Sequence, residues 1–348
     1  MFYFYNSKTG EKYYSKQDLL WNKYSLSDLE INFGLGFDSI DWTKEPVESL
    51  KELRKQRAQQ LRDTYSYLVL YYGGGSDSST VLNSFLDNNI KLDEIVVVRS
   101  SDTDHPTVDG KYALYTLKKK NYSGKLTIVD IFYEKIKEYY SKQAWAAFRY
   151  NGTGNINVFF RTTLPVLEQL GFTPIIDRPS NIAHINGQSC PIINKIDNKY
   201  YLTFSSSVIG GSTLNTWCEP FYLTPNFPKL ICKESHILVK YWKEHFPASK
   251  RILESDHVET GIFKKLIRDE WLPSLSPPKG LGDLNNMFNK DTEGGSILLN
   301  YTLKDNKEVF NLWKDSTAKV LINESRYASK GLKARLLQLN KKIYICDA

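Results

Sequence analysis

The sequence predicts an α/β fold built on an open parallel sheet, and three observations carry that prediction. Tyr67-Leu68-Val69-Leu70-Tyr71-Tyr72 is a continuous apolar run, the pattern of a strand buried on both faces. A glycine–serine segment, Gly73-Gly74-Gly75-Ser76-Asp77-Ser78-Ser79, follows at once and leads into a helical pattern. Two further apolar runs, Glu94 to Arg99 and Lys125 to Asp130, recur after helix-like intervals. Strand, helix, strand, helix, strand requires right-handed crossovers and therefore a parallel sheet.

Each element follows in order. Residues 1–46 hold short aromatic runs and turns at Gly10, Gly34 and Gly36, and read as a small N-terminal extension packed on the main unit. Glu45-Pro46 breaks the chain. From Val47 to Arg62, Leu50, Leu53 and Leu61 recur at roughly helical spacing with charges between them, which predicts an amphipathic helix. Helices are also expected over Thr80–Leu86, Tyr112–Lys120, Tyr133–Tyr150, Phe160–Leu170 and Ser235–Phe246. Thr173-Pro174-Ile175-Ile176-Asp177 reads as a fourth strand. A β-hairpin is expected within residues 191–209 around Asp197-Asn198, and a last short strand at Ile343-Tyr344-Ile345. Residues 273–296 are rich in Pro, Gly and Asn and read as a loop. The division that results is an extension over 1–46, a main α/β unit over 47–180 and a smaller α+β closing region over 181–348.

The 348 residues suffice for a main core and a second, smaller one. Four cysteines, none at C-x-x-C spacing, exclude a local zinc ribbon and read as reduced structural thiols. No stretch approaches membrane-spanning length, and the N-terminus lacks the basic start of a signal peptide, so the expectation is a soluble cytoplasmic protein. Richness in Lys, Asn, Ile and Tyr suggests an AT-rich viral (phage) or bacterial genome. The net charge is +7, and its densest stretch, Lys51, Arg54, Lys55, Arg57 and Arg62, reads as the solvated face of a helix. A surface for nucleic acid or another anionic substrate is the other reading of the same residues.

The glycine–serine segment carries the chemistry. Three glycines after a buried strand permit a tight turn and leave backbone N–H groups uncovered. The next helix adds its unpaired N-terminal N–H groups and the positive end of its dipole. Ser76, Ser78 and Ser79 supply short hydroxyl donors, and the whole forms an anion nest sized for phosphate. Asp77 beside phosphates demands a cation, so Mg²⁺ is expected there. The P-loop requires Gly-Lys before its Ser or Thr, and the dinucleotide fingerprint requires Gly-x-Gly-x-x-Gly, whose second half is missing here. Neither pattern is present.

Gly73 to Ser79 resembles the Ser-Gly-Gly-x-Asp-Ser-Ser loop of the PP-loop, N-type ATP pyrophosphatases. That family includes the synthetase domain of asparagine synthetases, argininosuccinate and GMP synthetases, and tRNA-thiolating enzymes. The resemblance is specific over Tyr67 to Ser100 and extends more weakly to about residue 180. It implies a sheet of the HUP, or adenine nucleotide α-hydrolase, type. It implies ATP and Mg²⁺ as cofactors, and a ligase-like adenylation that releases pyrophosphate before an amine, ammonia or sulfur nucleophile displaces AMP. Gly73 departs from the pattern, because the family places Ser there. Phe2 stands where a glutamine-dependent synthetase exposes its cysteine, and Cys346 lacks the glycine of the C-terminal Cys-Gly motif used by the more distantly related phosphoadenylylsulfate reductases.

The resemblance places adenine against the end of the second strand, at Val98, Arg99 and Ser100. Asp102-Thr103-Asp104-His105 and Asp109 form either a polar helix-capping loop or a rim for a cationic or metal ligand. Arg178, at the end of the presumed fourth strand, and Lys279, in the closing region, are the candidate catalytic cations beside Asp77, with Lys264 and Lys265 as further cations. Trp217 to Pro225 reads as aromatic packing, or as a substrate wall. The expected partner is a small-molecule substrate. Two alternatives stand beside the synthetase reading: modification of a nucleic-acid base, and an ATP-binding module without turnover.

Overall fold

A computed structural model describes residues 3–13, 29–32, 35–100, 108–131, 167–168, 171–174, 176–187, 191–203, 218–245, 266–268 and 342–348. Strands β1 (Tyr3–Asn6), β2 (Lys12–Tyr13) and β3 (Leu29–Asn32) form an antiparallel sheet of order β2-β1-β3. A 3-10 helix at Leu35–Ser39 follows. Helix α1 (Leu50–Thr64) starts three residues after Val47, where the sequence pattern begins it. Ser49 and Glu52 close a capping box at its N-terminus, which satisfies two backbone N–H groups reciprocally.

The central unit alternates as expected: β4 (Tyr67–Tyr71), α2 (Ser76–Leu86), β5 (Glu94–Ser100), α3 (Val108–Lys119) and β6 (Lys125–Ile131). Two more strands, β7 (Ile182–Asn186) and β10 (Cys218–Pro220), complete a five-stranded sheet of order β10-β7-β4-β5-β6, with every neighbouring pair parallel. Among the described residues of 173–177, the expected strand is absent. Ile176 is exposed, and Pro174 lacks the N–H that a ladder needs. The fourth strand begins five residues later, at Ile182, and the sheet draws strands from beyond residue 180.

Between β7 and β10, β8 (Ile192–Ile196) and β9 (Lys199–Thr203) form the predicted hairpin, with Asp197 and Asn198 both at positive φ. The C-terminal strand β11 (Lys342–Asp347) pairs antiparallel with β9. Helix α4 (Pro228–His245) starts seven residues before the sequence suggests.

Leu68, Leu70, Ile95, Val97, Ala183 and Ile185 share one face of the parallel sheet and pack with Leu53, Leu61, Val81, Phe85 and Leu117 of the helices. The basic stretch is only partly a solvated face. Lys51 and Lys55 are exposed, but Arg54 and Arg57 are buried. Arg57 donates to Glu219 Oε1 at 2.6 Å and to the Pro220 carbonyl at 2.8 Å, which ties α1 to the end of β10. Arg62 pairs with Asp93 at 2.6 Å. Among the described residues, no helix is long and apolar enough to cross a membrane. The predicted helix at Tyr133–Tyr150 and the loop at 273–296 lie outside the described residues, as does 160–170 apart from Leu167 and Glu168.

Candidate functional site

All five strands run the same way, so their carboxyl ends share one edge. From β4 the chain proceeds to β5 on one side, and β7 later joins β4 on the other. Adjacent strands leaving in opposite directions open a crevice at their carboxyl ends, where open α/β sheets bind ligands. The residues at that crevice are Tyr72 to Gly75, which follow β4, and Asn186-Gly187, which end β7.

The loop is shaped for close approach. Gly74 has φ +79°, and a β-carbon there would stand 2.9 Å from the Ala113 nitrogen of α3. At Gly73 and Gly75 a β-carbon would meet nothing within 4 Å, so the space over the loop is open. Gly75 caps α2 without a side-chain hydrogen bond. Gly187 closes the other side, since a β-carbon there would come within 3.1 Å of Ser78 Cα.

The serines divide in role. Ser79 is buried, and its hydroxyl lies 3.1 Å from the Tyr72 hydroxyl and 3.4 Å from the Gly74 carbonyl, supporting the loop from beneath. Ser78 donates to the Gly75 carbonyl at 3.1 Å. Ser76 is also buried, and its carbonyl accepts from Thr80 at 2.9 Å. The hydroxyls of Ser78 and Ser79 therefore brace the turn, and the first backbone N–H groups of a helix such as α2 have no intrahelical acceptor.

Asp77, the second residue of α2, has a cation beside it that the sequence did not reveal. Arg268 donates from Nε to Asp77 Oδ1 at 2.7 Å and from Nη1 to Glu234 of α4. Its guanidinium lies 3.8 Å from the centre of the Tyr222 ring. Tyr222 donates in turn to the Asp77 backbone carbonyl at 2.7 Å. Arg54 of α1 donates to the carbonyl of Ile267. Arg268, Glu234 and Tyr222 are buried, whereas the Asp77 side chain is 21% exposed and alone reaches the surface. Burial pushes the Tyr222 phenol up and keeps it a neutral donor. Phe221 and Tyr222 are both fully buried and pack in the core, whereas Trp217 lies outside the described residues.

Arg178 is not at this edge. It lies four residues before β7, and its Nε is 3.3 Å from Glu94 Oε2 at the first residue of β5, on the amino edge. Its Nη1 pairs with Glu168 Oε1 at 2.5 Å. Burial opposes ionisation of Glu94, but Thr127, Arg178 and Lys125 outweigh it and hold the carboxyl below its usual range. The expectation that Arg178 ends a strand beside the loop is corrected: it is a structural cation on the opposite edge of the sheet.

Val98 is buried at the carboxyl end of β5, which Ser100 closes, and both lie on the loop's edge. Arg99 is held by a two-pronged pair with Asp130 of β6, at 2.5 and 3.1 Å. Lys264, Lys265, Lys279 and the stretch 102–105 lie outside the described residues. A shallow groove on α1, lined by residues including Lys55, Gln59 and Asp63, contains none of the loop.

Among the described residues, no group of three His, Cys, Asp or Glu gathers for a metal. A nucleotide-borne Mg²⁺ keeps waters and phosphate oxygens and asks one or two carboxylates of the protein. Asp77, partly exposed at the helix start, fits that smaller demand. A scan against models of known protein families matches none of them, and a search of curated proteins finds no match.

Proposed function

We propose that the chain is an ATP-dependent adenylating enzyme that forms AMP and pyrophosphate. The observation that carries this reading is the open glycine turn at the sheet's switch point, leading directly into the N-terminus of α2. The β- and γ-phosphates would lie over Gly73 to Ser78, on the backbone N–H groups and the positive end of the helix dipole. Adenine would lie against Val98 and Ser100. The strand order supports a sheet of the HUP type.

An acyl or carbonyl oxygen of the substrate attacks the α-phosphorus. Its new O–P bond forms as the α–β bridging bond breaks, and the electron pair leaves with pyrophosphate. An amine, ammonia or sulfur nucleophile then displaces AMP. The nest binds the departing pyrophosphate more tightly as its charge grows, so its stabilisation is greatest in the transition state. A bound Mg²⁺, held by Asp77, would supply further charge neutralisation. Lys279 is the remaining candidate for a closing cation. A kinase-like site would gather its cations on the γ-phosphate instead, and the loop sequence contains no Lys or Arg.

Two other readings remain. Arg268 already balances the charge of Asp77 without a metal, which favours an ATP-binding module that does not turn over. Base modification of a nucleic acid draws on the net positive charge, although Arg54 and Arg57 are turned inward. Asp77→Asn tests the enzyme reading. Mg²⁺-dependent pyrophosphate release should fall strongly while the circular dichroism spectrum is kept. Undiminished release would refute the role given to Asp77.

A further inference from the structure

We infer that Arg268 is a positioning residue: by neutralising Asp77 from inside the protein, it makes the first turn of α2 able to accept a polyphosphate. The inference rests on the phosphate-loop reading and adds to it a residue from a distant part of the chain. An acid at the second position of a helix competes with an incoming anion for the same positive helix end. Left alone, Asp77 would repel a nucleotide tail of several negative charges. Arg268 removes that repulsion at 2.7 Å.

The geometry also excludes direct contact between Arg268 and a ligand. Its side chain has no exposed surface: Asp77 accepts from its Nε, Glu234 from its Nη1, and Tyr222 covers its face. It therefore acts through Asp77. The cluster is balanced when all four charges are present, with Asp77 and Glu234 against Arg268 and Arg54. It joins α1, α2, α4 and the segment 266–268 at one point, immediately behind the loop. The carbonyl of Asp77 is held by Tyr222 in the same cluster, so the charge and the backbone of this turn are fixed together.

The test is calorimetric titration of ATP in EDTA, where no metal contributes. Wild-type protein should bind. Arg268→Gln should bind at least about tenfold more weakly, because Asp77 is then an unbalanced charge at the nest. Asp77→Asn should bind severalfold more tightly than wild type in EDTA, even though its Mg²⁺-dependent turnover falls. The double variant, neutral at both positions, should recover to within about threefold of wild type, a rescue that a purely structural role for Arg268 would not give. Wild-type affinity in Arg268→Gln, or a double variant as weak as Arg268→Gln, would overturn the inference while leaving the loop reading intact. If Arg268→Gln does not fold, Asp77→Asn decides alone, and unchanged or weaker metal-free binding overturns the inference. Absence of ATP binding by wild type, with and without Mg²⁺, would overturn the loop reading itself and the inference with it.

Discussion

The hydroxyl of Tyr222, a fully buried residue, and the backbone carbonyl of Asp77 are joined by a 2.7 Å hydrogen bond across 145 residues of sequence. Tyr222→Phe keeps the ring beneath Arg268 and removes only this bond. It should cost about 1–2 kcal/mol of unfolding free energy, read from urea denaturation. A variant as stable as wild type would mean that the bond does not hold the start of α2.

The three loop glycines should respond differently to substitution. Gly74→Ala forces a side chain into positive φ and against the Ala113 backbone, and should destabilise the fold by about 1–3 kcal/mol. Gly73→Ser enters open space and restores the hydroxyl that the PP-loop pattern places there. It should leave the melting temperature within a few degrees of wild type and tighten ATP binding. Weaker binding by Gly73→Ser would argue that the phosphates do not lie over this residue.

Much of this site is legible in the sequence, and what is not legible has a physical reason. A buried strand, a glycine turn and a helix start are local features, and β4, the loop and α2 appear where their residues put them. The fourth strand is not legible locally because Ile182-Ala183-His184-Ile185-Asn186 carries polar residues at alternate positions, whereas the segment before it has an apolar Ile175-Ile176 pair despite its proline. His184 is buried because β7 lies beside β4, a pairing that no local pattern encodes. The burial of Arg57 and Arg268 depends on partners 162 and 191 residues away, Glu219 and Asp77. Basic residues of this kind look like a solvated face or a spare cation until the fold supplies the partners.

His184 makes acid stability measurable. Burial, aided by Arg178, depresses its imidazole from 6.5 to about 4, and Tyr71 lies 2.9 Å from Nδ1, placed to donate to a neutral ring. The folded state thus favours the neutral form. Stability is full above pH 6.5 and is lost as pH falls toward 4, by roughly 3 kcal/mol for this group alone. His184→Gln should flatten that part of the decline when unfolding is compared at pH 7 and pH 4.5. Parallel declines in the two proteins would show that His184 is not held neutral.

Arg178→Gln leaves Glu94 and Glu168 without their shared guanidinium. A loss of about 3–5 kcal/mol is expected, as for breaking a buried ion pair. The fraction that stays folded should bind ATP with wild-type affinity, because Arg178 stands at the amino edge. Full stability combined with lost ATP affinity would return Arg178 to the candidate site.

The central claim is attack at the α-phosphate of an ATP held on the loop of residues 73–79. Its most direct test follows the label of α-labelled ATP incubated with the protein, Mg²⁺ and a metabolite extract that supplies the acceptor. The prediction is labelled AMP, either free or as a mass-shifted adenylate, with an equal amount of pyrophosphate, and loss of both products in Asp77→Asn. Labelled ADP with inorganic phosphate would contradict it.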